Sequence, residues 1–213
     1  ANGVLITGCS GAEFGARWFR DGWDPSTGKK LWRRYTTAGP GEKGYETWEP
    51  RETYLRGGAS TWITGSYDPE LDLVYWGTGN AGPWNGDKRK GDNLYAASVI
   101  AVRPKTGEIV WYYQFAPNDV WDWDSWEMIQ AEIPVDGQKR KVVMHVARSG
   151  FLYVLDRTTG QPFHEVRETP VPKGDVPTEW YSPTQPIPTR PPPLARVSFS
   201  EADLVRPEDT TPE

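Results

Sequence analysis

The feature that most constrains this chain is a degenerate repeat in which a turn closes on glycine and a tryptophan follows on the next strand. Asp24-Pro25-Ser26-Thr27-Gly28-Lys29-Lys30-Leu31-Trp32 is one copy. Ala101-Val102-Arg103-Pro104-Lys105-Thr106-Gly107-Glu108-Ile109-Val110-Trp111 is a fuller one. Leu155-Asp156-Arg157-Thr158-Thr159-Gly160-Gln161-Pro162-Phe163 is a further copy that has lost its tryptophan. Each reads as strand, turn, strand. Glycine closes the turn because positive φ is costly for an L-residue and not for glycine. The tryptophan, four residues on, can then dock on a neighbouring sheet. Repeated units of this kind imply an array of sheets; ordinary hairpins in a sandwich are the alternative.

The composition agrees. The chain carries 12 tryptophans, 22 glycines and 20 prolines in 213 residues. Short apolar runs sit between Gly, Pro, Asn and Asp clusters, and long helical patterns are missing, which is an all-β composition. The formal net charge of -5 gives no reason to expect a nucleic-acid partner. No apolar run approaches the ~20 residues of a membrane helix. Val4-Leu5-Ile6 is too short for the apolar core of a signal segment. With no initiator methionine and a strand-like run almost at once, the chain is expected to be a piece of something longer. Cys9 stands alone, so neither an internal disulfide nor a Cys-x-x-Cys-His haem attachment site is available. His145, inside Val142-Val143-Met144-His145-Val146, reads as a strand residue rather than a ligand, and His164 follows a turn without chemical company.

Chemistry concentrates in Trp121-Asp122-Trp123-Asp124, read with Ser10-Gly11-Ala12-Glu13 and Gly77-Thr78-Gly79-Asn80. Carboxylates walled by tryptophans must be paired or coordinate a metal, because a charge removed from water is costly. A hard cation takes six to eight oxygens from carboxylates, amides and carbonyls. Glu13, Asn80, Asp122 and Asp124 supply part of such a set. Each has a plainer reading by itself. Glu13 reads as a glutamate on a surface turn, Asn80 as a turn former at a strand end, and Asp122 as an aspartate in a solvated turn. Asp124 reads as the cap of a short helix starting at Ser125.

Five motifs in order resemble the pyrroloquinoline quinone (PQQ)-dependent alcohol dehydrogenases of the methanol dehydrogenase type. They are Gly8-Cys9-Ser10-Gly11-Ala12-Glu13, Gly57-Gly58-Ala59-Ser60-Thr61-Trp62, Gly77-Thr78-Gly79-Asn80-Ala81-Gly82-Pro83-Trp84-Asn85, Asn118-Asp119-Val120-Trp121-Asp122 and Arg148-Ser149-Gly150. The resemblance implies an eight-bladed quinoprotein β-propeller, of which this chain is an incomplete segment of about two and a half to three blades. The partial propeller is expected over residues 1–168, with blades near 1–36, 57–116 and 120–168. Strands are expected near Trp62–Tyr67, Leu73–Gly77, Ala96–Val102 and Ile109–Phe115, with a hairpin of Val142–Ala147 and Phe151–Asp156. Residues 169–213 hold more than half of the prolines and are expected to be extended, polyproline-like chain. So few blades cannot close a ring, so the isolated segment is expected to leave open sheet edges and to fold poorly alone.

The resemblance also implies a site. PQQ is expected along Ser10, Gly11 and Ala12, against Ser60 and under the flat face of Trp62. Glu13, Asn80, Asp122 and Asp124 are expected to hold the metal. Asp122 is expected to act as the base for a small alcohol oxidised by hydride transfer to metal-bound PQQ, with Arg148 reaching both the quinone oxygen and the base. Taken singly, Trp62 reads as core and Arg148 as a solvated turn residue. Aspartate two positions after the base resembles the lanthanide-dependent members; calcium is the alternative. The electron acceptor implied is a cytochrome c or a quinone, and the compartment the periplasm. A non-catalytic propeller scaffold and a PQQ-dependent sugar dehydrogenase are the competing classes.

Overall fold

In the computed structural model, which describes residues 1–211, short strands separated by turns form four antiparallel sheets, each a meander of chain neighbours. The first sheet is β1 (Leu5–Thr7), β2 (Phe19–Trp23) and β3 (Lys30–Tyr35). The second is β4 (Ser66–Asp68), β5 (Leu73–Gly77), β6 (Ser98–Val102) and β7 (Ile109–Gln114). The third is β8 (Ile129–Val135), β9 (Gln138–Val146) and β10 (Leu152–Asp156), and a ribbon of β11 (Val166–Pro170) and β12 (Thr184–Pro188) follows.

The second sheet is sandwiched between the first and the third. Every residue of β5 and β6 is buried. Side chains alternate across a strand, so the two faces enter different cores. Leu73, Tyr75, Val99 and Ala101 pack with Val143, Tyr153 and Leu155 of the third sheet. Val74, Trp76, Ile100 and Val102 pack with Ile6 of β1 and Ala38 beyond β3. This face-to-face stacking of meanders is the arrangement of consecutive propeller blades.

The repeat supplies the joints. Trp32 Nε1 donates to the carbonyl of Pro104 at 2.9 Å, and Trp111 Nε1 donates to that of Arg157 at 3.1 Å. Each ring covers the turn glycine of the next sheet. A Cβ on Gly107 would lie 2.5 Å from Trp32, and one on Gly160 would lie 2.4 Å from Trp111. The two glycines have φ of 68° and 72°. Glycine is therefore required twice, for the turn and for the ring above it.

Two expectations change. Trp62 does not stand on a strand; β4 begins only at Ser66. The backbone before it is engaged elsewhere: Ala59 N–H donates to Asn80 O at 2.9 Å and Thr61 N–H to Cys9 O at 2.8 Å. The Pro-rich segment is also not uniformly polyproline-like, because Pro186 and Pro188 lie in β12, opposite Glu168 and Val166. A two-stranded ribbon has a free edge at every strand, where a missing N–H breaks no ladder. Tyr153 Oη donates to Pro186 O at 2.6 Å and pins the ribbon to β10. Pro191–Pro193 have no regular structure; Pro212 and Glu213 lie outside the described residues. Among the described residues no helix is long and apolar enough to cross a membrane.

Candidate active site

Antiparallel order places the ends of β5 and β7 and the starts of β4 and β6 at one end of their sheet. The loops there are zipped to one another and to the loop after β1. Gly82 N–H donates to Gly57 O at 2.8 Å, Gly79 N–H to Ser60 O at 2.8 Å, and Ser125 N–H to Thr78 O at 3.0 Å. Gly79 sits where they crowd: a Cβ there would lie 2.7 Å from both Asp124 Oδ1 and Ser60 Oγ. The loops carrying Ser60, Asn80 and Asp124 therefore meet at a point that tolerates no side chain.

Asn80 is the centre. It is 2 % exposed. Its amide Nδ2 donates to Glu13 Oε1 at 2.9 Å, and its backbone N–H donates to Asp124 Oδ1 at 2.5 Å. Trp62 Nε1 donates to the other Asp124 oxygen at 3.0 Å. Asp122 lies beside this group and accepts from Arg148 Nη1 through both its carbonyl, at 2.6 Å, and Oδ2, at 3.2 Å. That ion pair is half exposed, so it orients more than it stabilises. Burial pushes the Asp124 carboxyl up, opposed by the Asn80 N–H and reinforced by the charges of Asp122 and Glu13.

Of the predicted residues, Glu13, Asn80, Asp124 and Trp62 form one bonded chain, and Asp122 with Arg148 forms a pair next to it. Ser60 is buried against Gly79. Ser10 and Trp62 line an open cavity of about 390 Å³ together with Cys9, Thr61 and Thr64. Gly11 and Ala12 are not among its walls. Gly11 O instead accepts from Trp18 Nε1 at 2.7 Å, and Ala12 is buried. His145 lies in β9, as expected of a strand residue.

Among the described residues no group of three or more His, Cys, Asp and Glu side chains is arranged as a metal cage. The carboxylates surround Asn80, and each takes a protein donor. The chemistry of the set nevertheless suits a hard cation. The donors are all oxygens, one an amide and three carboxylates, and repulsion from Asp122 and Glu13 adds to the burial that raises Asp124. A cation among them would reverse that repulsion.

Two site residues escaped the sequence reading. Trp126 packs edge-on against Trp62, with centroids 6.1 Å apart, and the Arg148 guanidinium lies 5.7 Å from its ring. Asp119 accepts the N–H groups of Trp121 and Trp123 at 2.9 and 2.8 Å. Only the second left a sequence signal, since an aspartate two residues before a backbone N–H is a common turn former.

Comparison with known proteins decides the family. The model of the glucose/ethanol/alcohol dehydrogenase PQQ β-propeller domain matches residues 17–212. The chain belongs to the PQQ-dependent alcohol dehydrogenase family. Quinohemoprotein alcohol dehydrogenase ADH IIB of Pseudomonas putida is 45% identical over 173 residues, which is 75% of this chain and 25% of that protein. The lanthanide-dependent methanol dehydrogenase of Methylacidiphilum fumariolicum (strain SolV) is 42% identical over 178 residues, 74% of this chain and 29% of that protein. The solved quinohemoprotein alcohol dehydrogenase ADHIIG of Pseudomonas putida HK5 superposes with a TM-score of 0.74 at 40% identity, covering 88% of this chain and 29% of that one. This PQQ-family chain thus spans about a quarter of the length of its relatives, and its sheets are a partial propeller.

Proposed function

We propose that this chain forms the metal- and quinone-facing wall of a periplasmic PQQ-dependent alcohol dehydrogenase acting on a small alcohol. The observation that carries the reading is the meeting of Asp122–Arg148 with Glu13, Asn80 and Asp124 at one end of the sheets. PQQ, when bound, supplies the two-electron acceptor, and a cation beside it the polarising charge. Glu13, Asn80, Asp122 and Asp124 would hold the cation; Ser10, Gly11, Ala12, Ser60, Trp62 and Arg148 would hold the quinone. Arg148 occupies Asp122 Oδ2, which leaves Oδ1 to take the hydroxyl proton of the alcohol. Electrons leave to a cytochrome c or a quinone, in keeping with the quinohemoprotein relatives.

Asp124 selects the metal. Attraction scales with the product of charges, so a trivalent lanthanide gains more than calcium from the additional carboxylate. The lanthanide-dependent relative supports this choice, and calcium is the second reading. The test is reconstitution of the intact apo-protein with PQQ and either lanthanum or calcium, following alcohol-dependent dye reduction. Asp122→Asn is expected to lower turnover by ~10²–10⁴-fold while quinone stays bound. Asp124→Ala is expected to lose lanthanide activation selectively. Near-normal turnover of Asp122→Asn removes the base. Equal or greater wild-type activity with calcium removes the lanthanide and leaves the quinoprotein standing.

A further inference from the structure

Asp119 is 1 % exposed, and no role described above uses it. Its two carboxylate oxygens accept two backbone N–H groups, Oδ1 that of Trp121 at 2.9 Å and Oδ2 that of Trp123 at 2.8 Å. The residue between those two donors is Asp122, whose φ is 62°. A non-glycine residue is uncommon in that left-handed region and stays there only where its surroundings over-determine it. Here one carboxylate grips the backbone N–H of the residue on either side of it. The rings of Trp121 and Trp123 stack with centroids 4.7 Å apart and planes at 28°, so the two flanking side chains reinforce the turn.

The grip is itself anchored. Arg89, fully buried, donates to the Asp119 carbonyl at 2.6 Å, to Pro83 O at 2.6 Å and to Asn93 Oδ1 at 2.8 Å. Asn118 Nδ2 donates to Gly91 O at 2.7 Å and to Asn93 Oδ1 at 3.1 Å. The loop that carries Asp122 is thereby fastened to the loop that follows Asn80.

We propose that Asp119 is a positioning residue: by holding the N–H groups of Trp121 and Trp123 it keeps Asp122 in the left-handed conformation that turns its carboxylate to Arg148 and to the substrate. The proposal rests on Asp122 being the base. Asp119→Asn is nearly isosteric, but it keeps only one acceptor and turns an NH₂ toward the other N–H. In the intact holoenzyme it is expected to lower kcat about tenfold or more, because misplacement of a reacting group is that costly, with KM and the bound-quinone spectrum near wild type. Added to Asp122→Asn, the same change is expected to cost no further turnover, since the group it positions has lost its chemistry.

Stability supplies a second cycle. In an Asp122→Gly background, where φ of 62° carries no strain to release, Asp119→Asn is expected to lower the melting temperature more than it does in the wild type, in which relaxation of Asp122 recovers part of the loss. A wild-type kcat in Asp119→Asn overturns the proposal, as do equal losses of turnover with and without Asp122→Asn. Near-normal turnover of Asp122→Asn alone removes the base reading instead, and the stability cycle then decides the clamp: equal losses of melting temperature in both backgrounds overturn it.

Discussion

His145 shows how a single buried side chain ties this fold to pH. The ring is 2 % exposed in β9, with its centroid 4.3 Å from that of Phe115. Nδ1 lies 3.2 Å from the Glu127 carbonyl, to which it donates, and Nε2 has no partner. Burial therefore favours the neutral ring and lowers its pKa to about 4. A lowered histidine binds its proton more readily in the unfolded chain, so its contribution to stability is complete above about 6.5 and is lost as pH falls toward 4. Asp119, pushed up to about 6 mainly by burial, has the opposite sign and loses stability as pH rises through that value. We expect the melting temperature of the intact protein to fall from pH 6.5 to pH 4, and His145→Leu to flatten that limb in calorimetry. An unchanged acid slope in the variant would remove His145 as the cause.

At the scale of elements, the joints between sheets are the repeat tryptophans. Trp111 is buried, and it joins β7 to the turn after β10. Removing such a ring costs the transfer term and a cavity together, about 3–5 kcal/mol. Trp111→Ala is expected to lose that much in urea unfolding of the intact protein. Trp111→Phe keeps most of the ring and forfeits the hydrogen bond, so its loss should be nearer 1–2 kcal/mol. Equal losses for the two variants would mean that the ring does not join the sheets. Leu73–Gly77 and Ile109–Gln114 were legible as strands because their apolar runs end in turn chemistry. Residues 62–65 were not, because the chain leading into them is held by other loops, Ala59 N–H by Asn80 O and Thr61 N–H by Cys9 O.

At the scale of the molecule, three stacked blades and a ribbon cannot close a ring. Apolar side chains on outlying strands remain open to solvent: Leu5 is 54 % exposed, Leu31 47 % and Val110 40 %. Open strand edges with apolar neighbours template pairing with other chains. The 213-residue chain expressed by itself is expected to self-associate at micromolar concentration, read by sedimentation or light scattering. A stable monomer with cooperative unfolding would show instead that the partial propeller is self-sufficient.

The amino-acid sequence alone determined the repeat, the all-β class and the family's five motifs, because turns, strand periods and short oxygen-bearing loops are written in local residue types. Asp122, Asp124, Asn80 and Glu13 could be named from those motifs. Only the tertiary structure decided how they meet: Asn80 at the centre, Glu13 and Asp124 bonded to it from other loops, and Asp122 turned to Arg148. It also decided that Trp62 sits in a loop and bonds Asp124 through its indole N–H. The contacts that tie Arg89 and Asn93 to Asn118 and Asp119 were not legible for the same reason. A buried polar side chain is defined by partners many residues away, and no local pattern records which carbonyl or carboxylate the fold will bring to it.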